Sequence, residues 1–240
     1  MTQYIDSVLG LFWAFVHPLV MVLILWFIFS FGFKVMPVKN VPFVVWLTAG
    51  MAPWFFFLNS LVGNTGVIVQ NSFLVKKVVF RVSILPIAKT LSSCIIHFIF
   101  IGLLIILMLF NGLHFSIWWF QVCYYTFALI VLIMGLTWAT SSLNVFLKDV
   151  SQLVAIVIQF GFWGTPIFWN IKMIPEKYHI LIKLNPMYYI VEGYRDSFIY
   201  HTPFWIHWEL SLYFWSVTIF TLLLGIITFK KLRPHFSDVL

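Results

Sequence analysis

LNVFLKDVSQLVAIVIQFGFWGTPIFWN, Leu143 to Asn170, is the stretch around which the rest of the chain is placed. It opens on a charged turn, Lys148-Asp149, in an otherwise apolar background. It then runs without a charge from Leu153 to Trp169, ending in Gly164-Thr165-Pro166 and two aromatics. Roughly 17 uncharged residues at about 1.5 Å each are near the lower limit for crossing a bilayer core. The stretch reads as a link from a cytosolic charged turn to an aromatic mouth on the opposite face.

Composition points the same way. Of 240 residues, 62% are hydrophobic and 9% charged, with a mean hydropathy of +1.03. A soluble domain carries about 25% charged residues, so this chain is a polytopic membrane protein. Its runs are apolar on all sides, which fits helices and not the alternating strands of an outer-membrane barrel. Net charge is +7 and the pI about 9.5. In a soluble protein that balance raises nucleic acid as a partner; here it reads as basic residues setting topology, with no nucleic acid expected. Cys94 and Cys123 fall inside predicted spans and read as packing residues, not a disulfide.

Read in order, the N-terminus lacks the charged region and cleavage site of a signal peptide. Six spans are predicted: 9–33, 44–69, 84–110, 117–143, 153–169 and 210–229. The first is interrupted by His17-Pro18, and the second carries Pro53, Asn59, Gly63, Asn64 and Gly66. Small and amide residues of that kind suit close helix packing in lipid. The basic residues Lys76, Lys77, Arg81, Lys89, Lys148, Lys230, Lys231 and Arg233 share one face, tight against span ends. Lys34, Lys39, Lys172, Lys177, Lys183 and Arg195 fall on the other, mostly within the long 170–207 segment. Bias close to span ends counts most, which places both termini in the cytosol.

The segment from Asn170 to His207 is too long for an ordinary connector and too polar for two more spans. Pro175-Glu176 begins one helical piece; Asn185-Pro186 begins a second as N-cap and first helical residue. In the second, Met187, Ile190, Val191, Tyr194 and Phe198 recur at helical spacing, with Glu192, Arg195 and Asp196 off that stripe. The expectation is an amphipathic helix of about four turns. The pair reads as two short outer-leaflet helices, re-entrant or interfacial, over 174–200.

The chain lacks G-x-x-x-x-G-K-[ST], H-E-x-x-H and G-x-S-x-G, and has no closely spaced acidic pair within a span. No catalytic residue and no metal site is assigned. The ionisable candidates well inside spans are His17 and His97, read as hydrogen-bonded packing residues. An enzyme and an ion-coupled carrier are both disfavoured, so energy for transport has to come from elsewhere. The positive signal is aromatic content, 20% of residues. Trp13, Trp54, Phe55, Phe162, Trp163, Phe168 and Trp169 are candidate contacts for sugar rings, whose C–H faces stack on aromatics. Lipid-facing phenylalanines and interfacial Trp and Tyr belts are the competing explanation.

Several motifs, in order, carry a family resemblance. Asn144-Val145-Phe146-x-Lys148-Asp149-Val150 is followed by Gln159-Phe160-x-Phe162-Trp163-x-Thr165-Pro166-Ile167, Leu184-Asn185-Pro186-Met187 and Val191-Glu192-Gly193-Tyr194-Arg195. Earlier stand Ser7-x-Leu9-Gly10-x-x-Trp13 with Pro18, and Lys76-Lys77-Val78-x-Phe80 with Ile84-Leu85-Pro86. The tail reads Leu232-Arg233-Pro234-x-Phe236-x-Asp238-Val239-Leu240. Together these resemble the ABC-2 type permeases of polysaccharide exporters, the membrane subunits that export O-antigen, capsule or teichoic acid.

The resemblance implies an all-α, six-span integral membrane protein of the bacterial cytoplasmic (inner) membrane, without its own nucleotide site. Two copies would form a channel, and two copies of a separate ATPase would bind the cytoplasmic face and hold ATP and Mg. This chain would carry no cofactor. The loop 71–83 and the turn 144–151 match the family's coupling elements, with Lys76, Lys77, Phe80, Arg81, Asn144, Phe146, Lys148 and Asp149. The outer gate would comprise Asn185, Pro186, Tyr188, Tyr189, Glu192, Tyr194 and Arg195. The implied substrate is a lipid-linked polysaccharide, O-antigen first among them.

Two departures stand out. Family members begin with a basic interfacial helix, whereas this chain reaches the matching Ser7 almost at Met1; a reduced gating element or a start further upstream is expected. Phe80-Arg81-Val82-Ser83 stands where the family often has Phe-Pro-Arg-Glu, which removes an acid from that coupling loop. Rival readings are an ABC-2 permease for a drug or lipid, and a membrane-embedded glycan-processing enzyme using Glu176, Glu192 or Asp196.

Overall fold

The structure, a computed structural model, describes residues 10–32, 41–75 and 81–240, with backbone alone for 10–15, 17 and 18. All regular structure among the described residues is helical. The main helices are α1 (Gly10–Phe27, continued by a π-turn Ile28–Gly32), α2 (Phe43–Thr65), α3 (Ile84–Phe110), α4 (Gln121–Phe146), α5 (Val150–Gly164), α6 (Pro186–Arg195) and α7 (Trp208–Leu232).

Among the described residues, four stretches are long and apolar enough to cross a membrane: Phe43–Thr65, Ile84–Phe110, Ile117–Phe146 and Phe204–Val239. Leu19–Gly32 and Val150–Gly164 are apolar but shorter. The second, third, fourth and sixth predicted spans thus fall on these four stretches, the first on α1 and the fifth on the short α5. The fifth falls short because α5 stops at Gly164: Thr165 turns extended (ψ 135°) and Pro166 follows, disfavouring helix at the preceding residue. Trp169 then folds back, its indole N–H donating to the Trp163 carbonyl at 3.2 Å.

The hub is α2, which packs against α1, α3, α4, α5 and α6. An 18-residue stretch of it has a mean hydropathy of 1.4, the lowest of the four full-length spans, yet is 78% buried. By contrast the matching stretch of α3, at 2.8, is 39% buried. Lipid accepts only apolar side chains, so hydroxyls and amides collect on the helix surrounded by protein. Asn64 shows the use made of them, its amide donating to Ser60 O (2.7 Å) and, across to α3, to Thr90 Oγ1 (3.0 Å). The tightest helix pair is α4 with α7, where backbones meet at two glycines. A Cβ on Gly135 would lie 2.6 Å from the Leu222 backbone nitrogen, and one on Gly225 would run into the Gly135 carbonyl oxygen.

Between α5 and α7 the chain forms 3-10 turns at Ile171–Met173 and Glu176–Tyr178 and a short exposed helix, His179–Lys183, before α6. Asn185 caps α6, its Oδ1 accepting from Met187 N at 3.0 Å, with Pro186 at the first position, as its sequence signature requires. The helix continues through a π-turn, Asp196–Tyr200, giving the expected length. Its surroundings differ from the expectation of an amphipathic helix with a polar face. Residues 187–191 and 193–199 are buried, Arg195 and Asp196 among them, because α6 is inserted between α2, α4 and α7.

Candidate functional site

The interactions fall at two ends of the bundle. At the aromatic end, where α5 stops, Arg195 is the central group and is 0% exposed. Its Nη1 donates to the Pro166 carbonyl (2.7 Å) and to Glu192 Oε1 (2.6 Å), and its Nη2 to the Ile167 carbonyl (2.6 Å). The guanidinium lies 3.4 Å from the Trp46 ring centroid. Gly50, one helical turn on from Trp46 in α2, leaves the space: a Cβ there would lie 2.8 Å from Nη2 and 3.2 Å from the Ile167 oxygen. A planar, forked cation suits this position, since it meets two backbone carbonyls and a carboxylate at fixed angles while stacking on an indole. The carbonyls it satisfies belong to the broken backbone after α5, which hydrocarbon would not tolerate unpaired.

Asn185 reinforces the same turn. While capping α6, it donates through Nδ2 to Thr165 Oγ1 (2.7 Å), which in turn donates to the Gly161 carbonyl (2.7 Å). Tyrosines fix the other sides of α6. The Tyr194 hydroxyl lies 2.7 Å from His97 Nε2 on α3 and 2.6 Å from Thr126 Oγ1 on α4. The Tyr189 hydroxyl lies 3.0 Å from that of Tyr124, which also accepts from Trp215 Nε1 on α7 at 2.9 Å. Trp46 Nε1 donates to the Tyr200 hydroxyl at 3.0 Å. Thus α6 is hydrogen-bonded to α2, α3, α4 and the end of α5, and through Tyr124 to α7.

The structure brings Asn185, Pro186, Tyr188, Tyr189, Glu192, Tyr194 and Arg195 together here. Phe162, Trp163 and Phe168 meet one another at 5.1–5.6 Å, Trp163 edge-on to both phenylalanines, and Trp169 packs against the same core. Trp54 packs on Phe57 and Phe162, and Phe55 on Phe100. Trp54 and Phe168 are buried, enclosed by the hub helix and the folded-back turn. Trp163 remains exposed. The side chain of Trp13 lies outside the described residues. Of the rival enzyme's acids, Glu192 is held by Arg195 and Asp196 lies 3.6 Å from His207.

At the charged end, α4 passes to α5 through Leu147–Asp149. Leu147 is extended (φ −127°, ψ 98°), and Ser151 Oγ donates to Asn144 Oδ1 at 2.6 Å across the turn. Lys148 and Asp149 are exposed, as is Arg81. Phe146 reaches the Phe236 ring at 6.1 Å, and Phe236 is buried in a second apolar cluster with Val67, Ile68, Val82, Val145 and Phe229. The C-terminal tail therefore closes over the ends of α4 and α7. Lys76, Lys77 and Phe80 lie outside the described residues.

One feature escaped sequence reasoning. Of the 15 residues of α5, only Val154 and Ile158 are buried. Its uncovered surface carries Gln152 and Gln159 beside Phe160 and Trp163. Among the described residues neither amide has a hydrogen-bond partner. The i, i+7 spacing of the two glutamines was the available signal.

A family model described as ABC-2 type transporter matches residues 1–199. The O-antigen export system permease protein RfbA of Klebsiella pneumoniae is 28% identical over 240 residues, 99% of this chain and 90% of the relative. The protein of that name from Myxococcus xanthus is 27% identical over 206 residues, 83% of this chain and 76% of its own. The polysialic acid transport protein KpsM of Escherichia coli is 24% identical over 225 residues, 92% and 85% of the two chains.

Proposed function

Because the chain belongs to the ABC-2 type transporter family, we propose that it is the membrane subunit of an exporter moving a lipid-linked polysaccharide, O-antigen foremost, across the bacterial inner membrane. In this reading α1 to α5 and α7 make six crossings, both termini face the cytosol, and α6 with the His179–Lys183 helix is the outer gate. Two copies form the passage, and two copies of a separate ATPase supply the energy. Full-length similarity to O-antigen permeases supports the substrate class.

The observation that carries the mechanism is the turn Leu147–Asp149. It offers Lys148 and Asp149 to a partner while Ser151 and Asn144 tie it across to both helices. A push on such a turn moves α4 and α5 as rigid levers, with no flexible linker to absorb it. Arg81 and the neighbouring loop, with Lys76, Lys77 and Phe80, would be the second contact. At the far end of α5, Arg195 joins the end of that lever to α6. Movement delivered at one end thus reaches the gate through hydrogen-bonded backbone.

The exposed amides of α5 favour a paired arrangement. A glutamine facing hydrocarbon carries an unpaid desolvation cost, whereas one facing a second copy or an aqueous passage does not. The test is complementation of a strain lacking its O-antigen permease, with surface polysaccharide detected by antibody. Export should require both this chain and a hydrolysis-competent ATPase. Export persisting with an ATPase-dead partner would sink the proposal.

A further inference from the structure

A groove of about 610 Å³ opens near the charged end, lined among the described residues by Ser83, Trp138, Ile226, Phe229, Lys230, Arg233 and Pro234. Its chemistry is divided. Trp138, Ile226 and Phe229 make an apolar wall, Phe229 being buried, while Lys230 and Arg233 are exposed on the rim. The division falls where the apolar run of α7 gives way to Lys230, Lys231 and Arg233, the depth at which lipid headgroups lie. The Trp138 indole points its N–H at the Ser83 carbonyl (3.5 Å), holding its ring against the groove.

We propose that this groove is a binding site for an anionic phospholipid. The phosphate sits between Lys230 and Arg233, and the first carbons of an acyl chain lie along Ile226, Phe229 and Trp138. The volume fits such a fragment, within the about 300–1,000 Å³ typical of small-molecule sites. Basic pockets between membrane helices hold anionic headgroups by the same pairing of charge and apolar wall. The occupant would also fasten the end of α7 to Ser83, two residues beyond Arg81. The proposal rests on the chain lying in a bilayer and is independent of which substrate is exported.

The test uses the purified full chain in detergent, with lipid binding read by native mass spectrometry and by the rise in unfolding temperature. Phosphatidylglycerol is compared with phosphatidylcholine, and inorganic phosphate tests the headgroup alone. Phosphatidylglycerol should bind in preference, and the double variant Lys230→Gln/Arg233→Gln should weaken it roughly thirtyfold. Lys231→Gln removes an adjacent charge that does not line the groove and should change little. Ile226→Trp, which fills the apolar wall, should weaken phosphatidylglycerol even where the charges are intact. Equal loss from Lys231→Gln, equal binding of phosphatidylcholine, or inorganic phosphate competing as well as lipid would overturn it. So would phosphatidylglycerol binding unchanged in both groove variants.

Discussion

Arg195 shows how one buried cation organises a break in the backbone. Two of its three hydrogen bonds satisfy carbonyls that the end of α5 leaves open, the third holds Glu192, and Trp46 covers its face. Arg195→Ala would strand Glu192 and both carbonyls. Removing one partner of a buried pair costs about 3–5 kcal/mol, and Glu192, with 27% of its side chain exposed, keeps some access to water, so about 3 is expected. Unfolding in detergent measures it; a loss below about 1 kcal/mol would show that the clamp holds nothing. Arg195→Lys keeps the charge without the fork and should lie between. Gly50→Ala tests the same site from α2: its methyl collides with Nη2, so a loss of about 1–3 kcal/mol is expected from overpacking.

At the scale of the element, α5 and its two ends form one mechanical unit. Reversing the turn charges with Lys148→Glu/Asp149→Lys leaves exposed side chains on an intact backbone. The protein should reach the membrane at normal abundance while surface polysaccharide falls at least tenfold. Retained export would remove the turn from the coupling path. On the exposed face of α5, Gln152→Leu/Gln159→Leu distinguishes two environments. Against lipid the change would stabilise the helix and spare export; against a passage or a second copy it should cut export severalfold, with unfolding in detergent little altered.

At the scale of the whole molecule, the described chain is a hub helix with five partners, closed at one end by α6 and at the other by the C-terminal tail. The proposed orientation is checked by single cysteines in a Cys123→Ser background, Cys94 being buried. Lys148→Cys and Ser237→Cys should react with an impermeant maleimide only in inside-out vesicles, and Lys177→Cys only from the outer face. Labelling of Lys148→Cys and Lys177→Cys from one side would refute the odd number of crossings between them.

Much of this was legible in the residues. The boundaries of α3, the Asn185-Pro186 start of α6 and a charged turn at Lys148-Asp149 each follow from local chemistry: hydrophobic length, capping geometry and the cost of burying charge. What the sequence alone did not reveal was the centre of the packing. The charged turn and aromatic end mark out 143–170 in the sequence, but α5 packs at the edge of the described chain, and the core is the more polar Phe43–Thr65. A linear pattern records how far a helix runs in hydrocarbon, but not which neighbours surround it. The same reason explains Arg195, Asp196, Trp54 and Phe168. Periodicity places the two charged residues on a polar face, and composition marks the two rings only as candidate contacts, whereas tertiary packing buries all four. Chemistry along the chain determined that this protein lives in a membrane and where its turns fall. Only the packing of α6 between α2, α4 and α7 decided that its polar residues are internal, because burial of a charge depends on partners distant in sequence: Pro166, Ile167, Trp46 and the space left by Gly50.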